Sequence, residues 1–262
     1  MRARFESAAT LGRILARPRI AELPRPLQPP ARALRYVLKG SPYPYEGDGI
    51  ATQHLSPFLE DRDFNTRYGA VASLWEADLR WRLWILTRSA AHCASLDGSF
   101  AEFGVYRGGC AYMVLSGTRP HEGRSYFLFD TFEGIPASNL TQAEIEAGFA
   151  GRLADTSIDE VRSRLEPWES QLQFVAGDIF KTLPATETGP IAFAHIDLNA
   201  AAPTEEALRY AWARLLPAGI VVFDDYGWQE YDDQKRLIDR FFADAKSTVI
   251  ALPTGQAIAV KP

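Results

Sequence analysis

From Ser99 onward, short apolar runs alternate with helical patterns, and this alternation restricts the fold more than any other feature of the chain. The runs occupy 100–103, 125–129, 172–175, 191–196, 220–223, 248–252 and 257–260. Runs this short and this apolar suit strands buried on both faces, as in a parallel sheet covered by helices. Between them, Ser157 and Glu160 read as a capping box. Thr204 reads as the N-cap of a helix with Glu205 and Glu206 in its first turn and Ala207, Leu208, Ala211, Trp212 and Leu215 on one face. Residues 229–243 repeat the helical pattern, and only Pro253, Thr254 and Gly255 part the last two runs, which predicts an antiparallel hairpin. The expected fold is α/β, a doubly wound, mostly parallel seven-stranded sheet of Rossmann-like type with an N-terminal helical extension.

Three regions are expected: a basic, proline-rich arm and loop over 1–50, a helical cap over 51–98 and the α/β domain over 99–262. The arm carries eight arginines and Lys39 against Glu6 and Glu22 in its first 40 residues, and Pro24, Pro26, Pro29 and Pro30 keep it extended. Its arginines interrupt every apolar stretch that a signal peptide needs, and no run of about 18 apolar residues predicts a membrane span. In the cap, Val71, Leu74, Trp75, Trp81, Trp84 and Ile85 recur near helical spacing with Asp78, Arg80 and Arg82 between them, a stripe that suits core packing or the roof of a pocket. A net charge of −5 gives no pull toward nucleic acid or an anionic membrane. The two cysteines, Cys93 and Cys110, form no disulfide framework and suit a reducing, cytoplasmic setting. The helical N-terminal half is a candidate surface for homo-oligomerisation.

In doubly wound folds, ligands bind beyond the carboxyl ends of the strands. Here five consecutive strands run into an acid: Glu102, Asp130, Asp178, Asp197 and the pair Asp224-Asp225. Glu102-x-Gly104-x-x-x-Gly108-Gly109 is a glycine turn between strand and helix, where missing side chains allow close approach to the backbone. The carboxylate ahead of it disfavours a nicotinamide pyrophosphate and suits a cationic cofactor such as S-adenosylmethionine. Asp130, 28 residues on, stands near the offset of a ribose-gripping acid or forms a turn. Asp178 either bonds an adenine amino group or caps the next turn. Asp197, Asp224 and Asp225 repel one another unless a cation sits between them, and all-oxygen donors favour Mg²⁺, Mn²⁺ or Ca²⁺ over zinc. In the other reading, Asp225 caps the following helix and Asp224 pairs with a lysine or arginine. His195, inside an apolar strand, reads as buried structure rather than as a base.

The segments Glu-Phe-Gly-Val-Tyr-Arg-Gly-Gly at 102–109, Asp-Thr-Phe-Glu-Gly-Ile-Pro at 130–136, His-Ile-Asp at 195–197 and Phe-Asp-Asp-Tyr-Gly at 223–227 resemble the macrocin O-methyltransferase family over roughly residues 60–262. That resemblance implies a class I, S-adenosylmethionine-dependent enzyme that methylates hydroxyls on antibiotic sugars. It implies cofactor contacts from Glu102, Phe103, Gly104, Val105, Gly108, Asp130, Thr131, Phe132, Glu133 and Gly134, with Asp178 and Ile179 near adenine. It further implies Mg²⁺, or Mn²⁺, on Asp197, Asp224 and Asp225, with Asp197 as general base. The chain departs from the family after the fourth strand, where Asn199 stands in place of an acid and Ala201 in place of an aromatic residue.

A sugar hydroxyl is barely ionised at neutral pH, so a bound divalent cation and a carboxylate base together suit its methylation. The expected partner is a small hydroxylated acceptor, with no nucleic acid and no membrane. A catechol acceptor satisfies the same chemistry. Asn199 and Ala201 motivate a second reading, a catalytically silent cofactor-binding or scaffold protein. A nicotinamide-dependent dehydrogenase is disfavoured by Glu102.

Overall fold

The computed structural model describes residues 45–52, 54–118, 123–245 and 247–262. The chain divides into two compact units, Met1–Pro57 and Phe58–Pro262. Most of the basic arm lies outside the described residues. The described part of the first unit is an antiparallel hairpin, β1 (Tyr45–Gly47) and β2 (Ile50–Thr52), turned through Asp48 and Gly49 at positive φ. The expected loop there is therefore a short strand pair.

The second unit holds helices α1 (Arg62–Val71) and α2 (Arg80–Cys93), then β3 (Ser99–Phe103), α3 (Gly109–Thr118), β4 (Tyr126–Asp130), α4 (Gln142–Glu146), α5 (Ile158–Arg164), β5 (Leu172–Ala176) and α6 (Ile179–Thr182). It continues with β6 (Ile191–Ile196), α7 (Ala201–Arg214), β7 (Leu215–Phe223), α8 (Asp232–Asp244), β8 (Val249–Ala251) and β9 (Ala257–Val260). The seven-stranded sheet runs in the order β5-β4-β3-β6-β7-β9-β8. Neighbours from β5 to β7 are parallel, and β9 pairs antiparallel with both β7 and β8. The strand order reverses between β3 and β6, the switch point at which such sheets open a crevice.

Every residue of β3 and β6 is buried. On one face Phe103, Phe129, Ile196 and Phe223 pack with Leu208, Trp212, Leu237 and Phe242 of α7 and α8. On the other, α2 packs against α3, β6 and β7. Complete burial of each such side chain contributes about 1.5–3 kcal/mol, which holds the strand ends in a fixed register. Residues 58–98 thus share one compact unit with the sheet.

Several sequence expectations shift. The stripe expected from 71 to 85 breaks at Ala72–Leu74, and the buried face of α2 is Leu83, Leu86, Thr87, Ala90 and Cys93. Trp81 and Trp84 pack edge-on against Phe58 and Phe64 instead. At Ser157 the hydroxyl accepts from Glu160 N at 3.3 Å, one half of the expected box, whereas Thr141 and Glu144 form a complete one. Helix α7 begins at Ala201, three residues before the expected cap, and Thr204 is buried within it, donating to Gln234 Oε1 at 3.1 Å. Pro203 is tolerated because the N–H groups of a first turn have no intrahelical partner. Among the described residues, no helix is long and apolar enough to cross a membrane.

Candidate active site

The end of β3 shows why a glycine follows it. Gly104 has φ +89°, and a Cβ placed there would lie 1.8 Å from the carbonyl oxygen of Asp197. Its freedom lets the end of β6 approach, so that Asp197 N donates to Phe103 O at 2.8 Å, while on the β4 side Gly104 N donates to Phe129 O at 2.9 Å. The close approach is thus by the protein's own backbone rather than by a ligand alone. Asp130 braces the same turn: Oδ2 accepts from Val105 N at 2.6 Å and Tyr106 N at 2.8 Å, and Oδ1 accepts from Phe132 N at 2.7 Å. Of its two sequence readings, the turn-forming one describes these bonds. Thr131 closes the next turn by donating to Gly134 O at 2.7 Å.

Around this frame lies a cavity of about 410 Å³, a size typical of small-molecule sites. Leu74, Trp75, Leu79 and Arg82 form one wall. Glu102, Gly104, Val105, Asp130, Thr131, Gly134, Ile179, Asp197, Asp224 and Asp225, all expected at the site, line it as well. Five expected cofactor residues do not. Phe103 is in the core, stacked on Phe129 at 4.8 Å, because successive strand residues face opposite sides of the sheet. Phe132 is buried against Phe174, and Glu133 is exposed. A Cβ on Gly108 would meet Val161 at 2.9 Å rather than the cavity. Asp178 caps α6, accepting from Phe180 N at 3.2 Å and Asn139 Nδ2 at 2.8 Å.

A buried polar chain crosses the sheet beneath the cavity. Tyr126 OH donates to Glu102 Oε2 at 2.9 Å, and His195 Nδ1 lies 3.3 Å from Glu102 Oε1. On its other side His195 Nε2 stands 3.6 Å from Asp224 Oδ1. Burial alone would lower the imidazole's pKa, but the carboxylates of Asp224 and Glu102 raise it to about 10. Asp224 also accepts from Arg82 Nη1 on Oδ2 and from Gln256 Nε2 on Oδ1, the latter at 2.7 Å. Burial opposes its ionisation, yet Arg82 and His195 hold it well below the usual carboxylate range. Asp197 is pushed up to about 7, first by burial and then by the charge of Asp224. Asp225 is raised well above the ordinary range by burial and by both other aspartates, and its Oδ2 is buried without a hydrogen-bond partner.

Two groups of metal-type donors lie within 4.8 Å of one another among the described residues: His195 with Asp197 and Asp224, and Glu102 with Cys110 and His195. Asp225 belongs to neither, so the expected aspartate trio is not the tightest cluster. A protonated imidazole, however, has no lone pair to offer a metal. Burial holds the Cys110 thiol protonated, so the anionic donors left are carboxylate oxygens, and the orphaned oxygen of Asp225 on the same cavity fits a hard divalent cation.

The sequence also left residues unnoticed. Arg82, placed among the polar residues between tryptophans, reaches the acid cluster. Tyr231 OH donates to Asn199 Oδ1 at 3.1 Å, and Asn199 Nδ2 donates to Asp197 Oδ1 at 2.7 Å. Glu144 Oε1 accepts from Ala201 N at 2.7 Å and so caps α7, which has no side-chain cap of its own. No spacing rule signals the contacts of Arg82, Tyr231 and Glu144, because each joins distant segments, whereas Asn199 bonds Asp197 two residues away.

The chain is 30% identical over 140 residues to the 8-demethyl-8-(2,3-dimethoxy-alpha-L-rhamnosyl)-tetracenomycin-C 4'-O-methyltransferase of Streptomyces olivaceus, covering 50% of this chain and 54% of that protein. It thus spans about half the length of the curated relatives it matches. The O-methyltransferase NovP superposes with a TM-score of 0.62 at 21% identity, covering 69% of this chain and 79% of the other. The O-methyltransferase TomG from Streptomyces achromogenes, solved in complex with SAM, gives a TM-score of 0.51 at 14% identity, covering 78% and 91%. These likenesses show the fold, the Rossmann-like α/β fold of class I O-methyltransferases. The family model for macrocin-O-methyltransferase (TylF) matches residues 83–249, more than half of the chain. The chain therefore belongs to the macrocin O-methyltransferase family.

Proposed function

We propose that this chain transfers the methyl group of S-adenosylmethionine to a hydroxyl of a natural-product sugar or another polyhydroxylated small molecule, with Mg²⁺ or Mn²⁺ held by Asp197, Asp224 and Asp225. The observation that carries the reading is the convergence of those three aspartates on the cavity beside the glycine turn after β3. The relative that acts on a rhamnosyl tetracenomycin supports the sugar class. In the proposed division of the chain, 1–50 is an arm, 51–98 a helical cap region, of which Leu74, Trp75, Leu79 and Arg82 line the cavity, and 99–262 the catalytic domain. The two free cysteines support a cytoplasmic setting.

The cofactor is proposed to lie along Gly104, Val105, Asp130, Thr131, Gly134 and Ile179. In the transfer, the carbon–sulfur bond of the sulfonium breaks as the acceptor oxygen–carbon bond forms, and the hydroxyl proton passes to Asp197. A carboxylate base within reach of that proton typically contributes about 10²–10⁴-fold. Asn199 occupies Oδ1 and leaves Oδ2 for the proton. A divalent cation, when bound, supplies Lewis-acid stabilisation of the developing alkoxide and a template for neighbouring hydroxyls. Trp75, Leu79 and the segment 134–156, which contributes Ile135, Pro136 and Leu153 to the wall, exclude water. That exclusion favours a step in which the sulfonium charge disappears.

Calorimetric titration with S-adenosylhomocysteine, with and without Mg²⁺, tests the cofactor half. Methyl transfer to rhamnosides and catechols in the presence and absence of EDTA tests the rest. Micromolar binding and metal-dependent transfer are expected. Absence of binding in both conditions overturns the reading, and binding without transfer to any hydroxyl favours the silent alternative.

A further inference from the structure

Asp224 is an occupied carboxylate. Arg82 reaches across from α2 to its Oδ2, and the two side chains are 17% and 8% exposed. The guanidinium carbon also lies 5.4 Å from the ring of Trp228, and both residues line the cavity. The ion pair and the cation–π contact are made together, so the guanidinium keeps an aromatic seat if it gives up the carboxylate.

The surroundings make the first seat conditional. Glu102, Asp197, Asp224 and Asp225 are acids that line the cavity, and Arg82 and His195 contact members of this group. With no divalent ion bound, the guanidinium relieves their repulsion. With one bound, two cations contact the same carboxylate and repel each other. Asp224 does not depend on Arg82 for its position. Gln256, 1% exposed, donates to Oδ1 at 2.7 Å and accepts in turn from Thr254 Oγ1 at 3.0 Å.

We propose that Arg82 is a displaceable counter-cation, which neutralises Asp224 in the metal-free protein and retreats onto Trp228 when a divalent cation binds. This rests on the reading of Asp197, Asp224 and Asp225 as metal carboxylates. It makes the chain's affinity for metal a competition between an ion and one of its own side chains, and it keeps a highly acidic cavity folded before the ion arrives.

The test is Mn²⁺ binding to the EDTA-stripped full chain, read from the paramagnetic resonance signal of free Mn²⁺. It compares wild type with Arg82→Gln, Arg82→Lys and Trp228→Leu, and thermal unfolding followed by circular dichroism serves as the check on folding. A unit charge about 6 Å from a divalent ion is worth roughly a factor of ten in affinity even at the dielectric constant of water. Arg82→Gln is therefore expected to bind Mn²⁺ about tenfold more tightly, Arg82→Lys to stay near wild type, and Trp228→Leu to bind more weakly for want of the second seat. Equal or weaker binding by Arg82→Gln overturns the proposal and makes the guanidinium a fixed part of the site. Tighter binding by Arg82→Gln with no change in Trp228→Leu overturns the second seat. If Arg82→Gln does not fold, equal or tighter binding by Trp228→Leu is the refuting result. If neither wild type nor Arg82→Gln binds Mn²⁺, the proposal falls together with the metal reading, while S-adenosylhomocysteine binding reports separately on the methyltransferase reading.

Discussion

Asp225→Asn should stabilise the metal-free protein and remove its response to divalent cations. The carboxyl is 7% exposed, one of its oxygens has no partner, and burial with the charges of Asp197 and Asp224 raises its pKa well above the ordinary 3.8. Folding near neutral pH therefore forces the group either to take up a proton or to stay charged among charges. At pH 7 that cost cannot exceed about 4 kcal/mol, since each pKa unit is worth about 1.4 kcal/mol. Local relaxation reduces it, and about 1–3 kcal/mol is expected. The sign follows from linkage. The folded value lies above the unfolded one, so the contribution to stability is intact below about pH 4 and is lost as pH rises toward the folded value. Asparagine imitates the protonated form and carries no such dependence. Thermal unfolding in EDTA should then show the variant melting about 2–10 °C above wild type at pH 7, with the gap closing toward pH 4. Saturating Mn²⁺ should reverse the order, because an ion at a hundred times its Kd stabilises wild type by about 2.7 kcal/mol. A gap independent of pH, or a variant less stable than wild type at pH 7 in EDTA, would refute the reasoning.

Gly104→Ala combines φ +89° with a Cβ 1.8 Å from Asp197 O, so a loss of at least about 3 kcal/mol is expected. Urea unfolding checks it, and a loss below about 1 kcal/mol would show that β3 and β6 can part without cost. Asp224→Asn removes the carboxylate charge that Arg82 and the Nε2 side of His195 contact and should cost about 3–5 kcal/mol. In the folded fraction it should weaken Mn²⁺ binding while sparing S-adenosylhomocysteine affinity, and an equal fall in both calorimetric titrations would sink the metal assignment. Glu144→Ala removes the acceptor shared by Thr141 N and Ala201 N. It should cost about 1–2 kcal/mol and speed amide exchange at Ala201, and unchanged protection there would mean that water caps α7 equally well.

The strands were legible because a parallel strand is buried on both faces and so carries a short, dense apolar run that hydropathy alone reveals. Their closing acids were legible for a related reason. Acids that follow the strands of this fold gather at the ligand crevice, and the family resemblance singled out Asp197, Asp224 and Asp225 among them, all of which line the cavity, whereas Asp178 caps α6. Alternation along the chain determined the sheet, its covering helices and the end at which the site lies.

Only the packed structure decided what each acid does there. Arg82 stands 142 residues from Asp224, and Glu144 stands 57 residues from Ala201. Local sequence placed the first on a polar helical face and took Thr204 for the cap that Glu144 supplies. Asp130 and Asp178 spend their carboxylates on backbone N–H groups, and Phe103 and Phe132 turn into the core. Hydrophobic periodicity is a property of one segment and is written in it. The partner of a buried charge is set by which segments meet, and the ionisation of Asp197 and Asp225 depends on charges such as Arg82 that reach them only when the sheet closes.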